Sequence, residues 1–115
     1  KFKKVVALDC HSIASDIIDS DVVLSNGQGI TASYDILYFM KDFFKSFGFK
    51  VSINNPFKGG FISYHHSNIK KNIHFIQVEV NKRIYMSEQD YTIKKEEMKK
   101  LQSCFKKLVE TIIMN

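Results

Sequence analysis

The sequence predicts an α/β domain, and three observations carry that expectation. Apolar, strand-forming runs stand at VVAL (5–8) and HFIQVEV (74–80). Between and after them lie two long stretches, 34–47 and 92–113, whose apolar residues recur at helical spacing. Nothing rich in Pro or Gly divides the 115 residues, which hold one Pro and five Gly, so residues 1–115 read as a single domain long enough to bury a core. Strands alternating with long helices are the pattern of an α/β sheet protein.

Each element has its own signal. Lys3 to Leu8 leads from basic residues into a continuous apolar run, which reads as a strand buried on both faces, as in a parallel sheet. Residues 13–33 are rich in Ser, Asp, Asn and Gly; they contain a short strand at Val22–Leu24 and a turn-rich SNGQG loop. Tyr34 to Phe47 places Leu37, Met40, Phe44 and Phe47 on one helical face, with Gly48 where a C′ glycine belongs. Phe49 to Ile53 alternates as a strand, and NNPFKGGF follows as a turn-rich loop. From His74 to Val80 the side chains divide, with Phe75, Gln77 and Glu79 on one side and Ile76, Val78 and Val80 on the other. Thr92 to Ile113 carries Met98, Leu101, Phe105, Leu108 and Ile112 on one face of an amphipathic helix, with Thr92 as its candidate N-cap.

Composition narrows the function classes. A net charge of +5 raises nucleic-acid binding. The lysines, however, are scattered over 1–4, 41–50, 70–71 and 94–107, and Arg83 is the one arginine. Base readout and bidentate phosphate contacts lean on Arg, so no nucleic-acid partner is expected. No apolar run approaches the roughly 20 residues of a membrane span, so no membrane partner is expected either. Cys10 and Cys104 are far apart and form no CxxC pair, which points to a reduced, cytoplasmic setting. The first residue is Lys1 and no signal-peptide core is visible, so the sequence reads as a processed, trimmed or partial product.

Chemistry is expected at the carboxyl ends of the strands, where open α/β sheets bind ligands. The first strand runs into Asp9, Cys10, His11 and Ser12; the later one carries Glu79, followed by Asn81, Lys82, Arg83 and Tyr85. His11 reads as a metal ligand whose second ring nitrogen is held by an acceptor, or as a hydrogen-bonded structural residue. Asp9 either orients His11 or caps a turn. Cys10, facing away from His11 on an extended chain, reads as a small buried thiol. Glu79 lies in a strongly apolar segment, where a carboxylate needs a partner, a metal-bound water or a raised pKa. General base and ion pair with Arg83 are its two readings. In NNPFKGG, Pro56 stiffens the loop and Gly59-Gly60 permits close backbone approach. Their amides form an anion nest, a helix start or an ordinary turn, and the order of residues is not that of a P-loop. His65 and His66 read as surface histidines, and no HExxH or Cys/His cluster occurs.

Three blocks in order, LDCHSI, NNPFKGGFIS and HFIQVEVNKRIYMSE, together with DVVLSNGQG, resemble the N-formylglutamate amidohydrolase family, relatives of the zinc carboxypeptidases. The similarity extends from Val5 to about Ile113. The resemblance implies a three-layer αβα fold with a mixed, largely parallel sheet. It also implies one catalytic zinc and hydrolysis of N-formylglutamate to formate and glutamate, or of a related N-acyl amino acid. By motif match His11 is the third zinc ligand and Glu79 the general base. Ser12, Asn55, Gly59, Gly60, Arg83 and Tyr85 match positions that line or shape the substrate pocket. Arg83 is the candidate for the substrate carboxylate, or else sits outside the pocket.

The departures matter as much. The family's first two zinc ligands, a His and an acidic residue, lie upstream of the DCHS block, and this chain begins eight residues before Asp9. It therefore resembles the C-terminal portion only. Catalytic zinc takes three protein ligands, so weak or no zinc binding and no activity are expected of this chain alone. HSIAS also lacks the Arg that often follows the family's His. An uncovered sheet edge or face is expected. That leaves a homo-oligomer, pairing with a separate N-terminal half, or a non-catalytic remnant that still folds.

Overall fold

Alternation along residues 73–81 organises the sheet. The computed structural model describes residues 3–114. Its order is β1 (Val5–Ile13), β2 (Val22–Ser25), α1 (Tyr34–Ser46), β3 (Val51–Ile53), α2 (Phe61–His66), β4 (Ile73–Asn81) and α3 (Lys95–Met114). Among the described residues these strands form one sheet in the order β1-β4-β2-β3. β1 runs parallel to β4 and β3 parallel to β2, whereas β4 and β2 are antiparallel, so the sheet is mixed.

Ile76, Val78 and Val80 of β4 join Val22 and Leu24 of β2 on one face. Against them pack Leu37, Met40 and Phe44 of α1 and Leu101, Cys104 and Leu108 of α3. The Phe44 ring meets Phe105 edge-on at 5.6 Å, tying the two helices together. Phe75, Gln77 and Glu79 face the other way, and there α2 packs, with His66 stacked on Phe75 at 6.1 Å. Helices on both faces of a mixed sheet make the expected three layers.

α1 forms as its residues dictate. Ser33 Oγ accepts from the Ile36 N–H at the start, and Gly48 follows the end at φ +89°. Elsewhere the structure corrects the sequence reading. β1 is not buried on both faces. It continues through Asp9–Ile13, and its side chains are exposed or half-buried, because it is an edge strand that pairs with β4 alone among the described residues. Cys10 is accordingly exposed, and the buried thiol is Cys104, 0% accessible in the core. α3 begins at Lys95 rather than at Thr92. Thr92 O accepts from the Ser87 N–H and Tyr85 O from the Lys94 N–H, which holds 92–94 extended, and the Thr92 hydroxyl donates to Asp90. The glycine pair at 59–60 proves to be a helix start, with Gly60 at the N-cap of α2.

Candidate active site

The parallel pairing of β1 with β4 is continuous and in register: Asp9 lies beside Gln77, and His11 beside Glu79. Neighbouring strands stand about 4.8 Å apart, and paired residues point to the same face. Two segments 68 residues apart in the chain (79 − 11) thus meet on the α2 side of the sheet. His11 Nε2 lies 3.0 Å from Asp9 Oδ1, with the imidazole half-exposed and the carboxylate mostly covered. Of the readings open for Asp9, orientation of His11 is the one the geometry bears out.

Glu79 is 9% exposed. Its Oε2 accepts a long bond of 3.4 Å from Gln77 Nε2, and its Oε1 is buried with no hydrogen-bond partner. Burial pushes the carboxyl above the ordinary glutamate range; the His11 ring opposes that shift and the Asp9 carboxylate adds to it. The ion pair with Arg83 does not form. Arg83 Nη2 instead donates to Asp19 O and lies 3.3 Å from Asp21 Oδ1, fastening the turn after β4 to the segment before β2.

The loop after β3 closes over this face. Asn54 and Asn26 exchange two hydrogen bonds, Asn26 N–H to Asn54 Oδ1 at 3.0 Å and Asn54 Nδ2 to Asn26 Oδ1 at 2.8 Å. Ser25 Oγ donates to Phe57 O at 2.6 Å, and the Gly27 N–H donates to Lys58 O at 2.6 Å. Gly60 comes so near the site that a Cβ there would stand 3.0 Å from Gln77 Oε1. Gly59, at φ +133°, lies against Tyr64 and the Gly27 backbone. Asn55 O accepts from the Ser52 hydroxyl, and the Asn55–Pro56 peptide is cis. Ser12 and Tyr85 line a shallow hollow with Cys10, His11, Val80 and Phe105 at the strand ends. Asp9, His11, Gln77, Glu79 and Gly60 are therefore gathered at one place. Ser12 and Tyr85 border it through His11, and the guanidinium of Arg83 is engaged elsewhere.

Sequence reasoning missed Gln77 as a site residue and missed the Asn26–Asn54 clasp. For Gln77 the signal was present, as a polar side chain two residues before Glu79 on the same strand face.

Whether zinc suits these residues is answered in part by their chemistry. An imidazole and two carboxylates, one of them with a buried oxygen that has no hydrogen-bond partner, are donors of the kind zinc accepts. Yet no group of three or more His, Cys, Asp or Glu among the described residues is placed to hold a metal ion. The cluster fits zinc as part of a site. His65 and His66 lie on α2, stacked against Phe61 and Phe75.

A mixed sheet between helical layers sets an imidazole and a buried carboxylate side by side on parallel strands of one α/β domain. The chain belongs to the N-formylglutamate amidohydrolase family, whose model matches residues 1–86. It is similar in fold to the crystal structure of N-formylglutamate amidohydrolase from Ralstonia eutropha JMP134, with a TM-score of 0.81 and 18% sequence identity. The match covers 90% of this chain and 40% of that one, so the chain spans well under half the length of this relative. No curated protein sequence matches the chain. The family match stops in the segment before α3, whereas the sequence resemblance was read to about Ile113.

Proposed function

We propose that this chain supplies the general base and one metal ligand of a zinc-dependent hydrolase acting on N-formylglutamate or a related small N-acyl amino acid. One observation carries the reading: the unpartnered, buried Oε1 of Glu79 stands in register with His11. A carboxyl raised from its usual value is a better base near neutral pH than an ordinary glutamate. Glu79 takes a proton from the attacking water and returns it to the leaving nitrogen as the C–N amide bond breaks, giving a carboxylic acid (formate from the N-formyl substrate) and the free amino acid. Asp9 holds His11 through Nε2, which leaves Nδ1 to face a metal. Zinc, when bound, would supply Lewis-acid polarisation of the acyl oxygen.

His11 is one ligand, and the rest of a three-ligand set comes from outside the described residues. The chain alone is accordingly a weak zinc binder and a poor catalyst. Ser12, Asn55, Gly59, Gly60 and Tyr85 shape the surroundings, and Arg83 reaches a substrate carboxylate only by releasing Asp21. Both thiols are free, in keeping with a cytoplasmic setting.

Zinc titration by calorimetry on wild type, His11→Ala and Glu79→Gln, paired with formate release from N-formylglutamate, tests this. Zinc affinity should fall by about tenfold or more in His11→Ala, the size of losing one ligand bond. Any formate release should fall by about 10²-fold or more in Glu79→Gln. Zinc binding indifferent to His11→Ala, or hydrolysis indifferent to Glu79→Gln, would overturn the assignment.

A further inference from the structure

We propose that Gln77 is a positioning residue for Glu79: its side-chain amide holds Oε2 and leaves Oε1 as the oxygen that acts, and residue 60 is a glycine to give that amide room. The positioning is argued from contacts within the sheet and its covering loop; its meaning for catalysis rests on the function proposed above.

Gln77 is fixed from both sides. β4 lies between β1 and β2 in the sheet, and Gln77 pairs with Asp9 on one and Ser25 on the other. Paired residues point to the same face. Both neighbours are engaged elsewhere, Asp9 with His11 and the Ser25 hydroxyl with Phe57 O. The buried Gln77 side chain makes one hydrogen bond among the described residues, from Nε2 to Glu79 Oε2. Glu79 stands two residues along the strand, on the same face.

Gly60 covers the other end of the amide. Its backbone, at φ −122° and ψ −176°, is extended and open to any residue, so conformation does not require a glycine there. Space does, because a Cβ would stand 3.0 Å from Gln77 Oε1. The loop that brings Gly60 in is fastened by Ser25 Oγ to Phe57 O and by the Gly27 N–H to Lys58 O, each at 2.6 Å. The amide is thus confined between the sheet and this loop, with its nitrogen turned to the carboxylate.

A neutral amide suits the task. When Glu79 is ionised, Nε2 donates to Oε2. Once Oε1 has taken a proton, Oε2 is the remaining carbonyl oxygen and still accepts, so the bond survives the transfer. A cationic donor would favour the ionised carboxylate and make it a weaker base. The bond is long, at 3.4 Å, as catalytic hydrogen bonds often are before substrate binds.

NMR on the isotopically labelled chain reads the positioning without zinc or substrate. In wild type, three-bond couplings should place the Glu79 side chain in one rotamer. Gln77→Met keeps the length of the side chain and removes the donor, and it should leave Glu79 averaging between rotamers. Gly60→Ala alters neither residue, yet forces the amide to reseat. It should shift the side-chain resonances of Gln77 and Glu79 together. Circular dichroism checks that both variants fold, and Gly60→Ala, whose φ suits alanine, carries the test if Gln77→Met does not fold. Glu79 held in one rotamer in Gln77→Met, or unmoved by Gly60→Ala, would overturn the positioning. In formate release from N-formylglutamate, Gln77→Met should lower kcat about tenfold, the size of one hydrogen bond, with KM and zinc affinity unmoved. It should cost nothing further when added to Glu79→Gln, since the two act as a unit. Release lost in Glu79→Gln but untouched in Gln77→Met would overturn the catalytic part of the proposal and leave the base assignment standing. Release indifferent to Glu79→Gln would overturn the base assignment and that part together, with the positioning still decided by the rotamers.

Discussion

Glu79 faces two opposed demands: its strand position buries it, and its carboxylate needs water or a cation. The sequence showed the conflict, since Glu79 shares a strand face with Phe75 in an apolar segment. It did not show the resolution, because Arg83, the nearest cation in sequence, turns to Asp19 and Asp21. A carboxyl whose folded pKa is raised is protonated more readily when folded. It adds no penalty below the unfolded value of about 4.3, and it destabilises the fold as pH rises through the higher folded value. Wild type should therefore lose stability from about pH 4 toward neutrality. Glu79→Gln should lack that loss, giving melting curves that coincide in acid and separate at neutral pH with the variant more stable. Coincident curves at every pH would refute the raised pKa.

Among the elements, β4 and α1 are joined by a histidine not singled out from sequence. His74, 4% exposed, accepts the Ser33 N–H on Nδ1 at 3.2 Å and meets Asn72 Oδ1 through Nε2 at 2.7 Å. Accepting on Nδ1 requires the neutral ring. Burial, with the Lys4 charge adding to it, lowers the His74 pKa. The sign is the reverse of that at Glu79: the contribution of His74 is present above the unfolded value of about 6.5 and is lost as pH falls below it. Protection of the amides of Ser33 and the first turn of α1, taken relative to their intrinsic exchange rates, should fall as pH drops below about 6.5, and less so in His74→Gln. The helices themselves were legible because their periodicity is local. The start of α3 was not, since hydrogen bonds from Ser87 and Lys94 hold residues 92–94 extended.

For the whole molecule, stability rests on the layer between the sheet and the two long helices. Phe44, fully buried, touches Phe43, Phe49 and Phe105 and so couples α1, the approach to β3, and α3. Phe44→Ala should lower unfolding free energy by about 3–5 kcal/mol in a denaturant titration, a transfer loss plus a cavity. A loss below about 1 kcal/mol would mean that α1 and α3 do not share one core. The opposite face is covered by the short α2 and the loop over residues 54–60, and there the candidate site lies.

By itself the sequence determined the α/β class, the inward faces of β4, α1 and α3, and, through its motif blocks, the family to which the chain belongs. These depend on periodicities of two and 3.6 residues and on short ordered motifs, all written locally. Only the tertiary structure decided that β1 pairs with β4 alone among the described residues, that Cys104 rather than Cys10 is the buried thiol, that Arg83 leaves Glu79 unpaired, and that His11 lies in register with Glu79. Each of these depends on which segments become neighbours across the sheet, and strand order is a long-range property that no local pattern encodes.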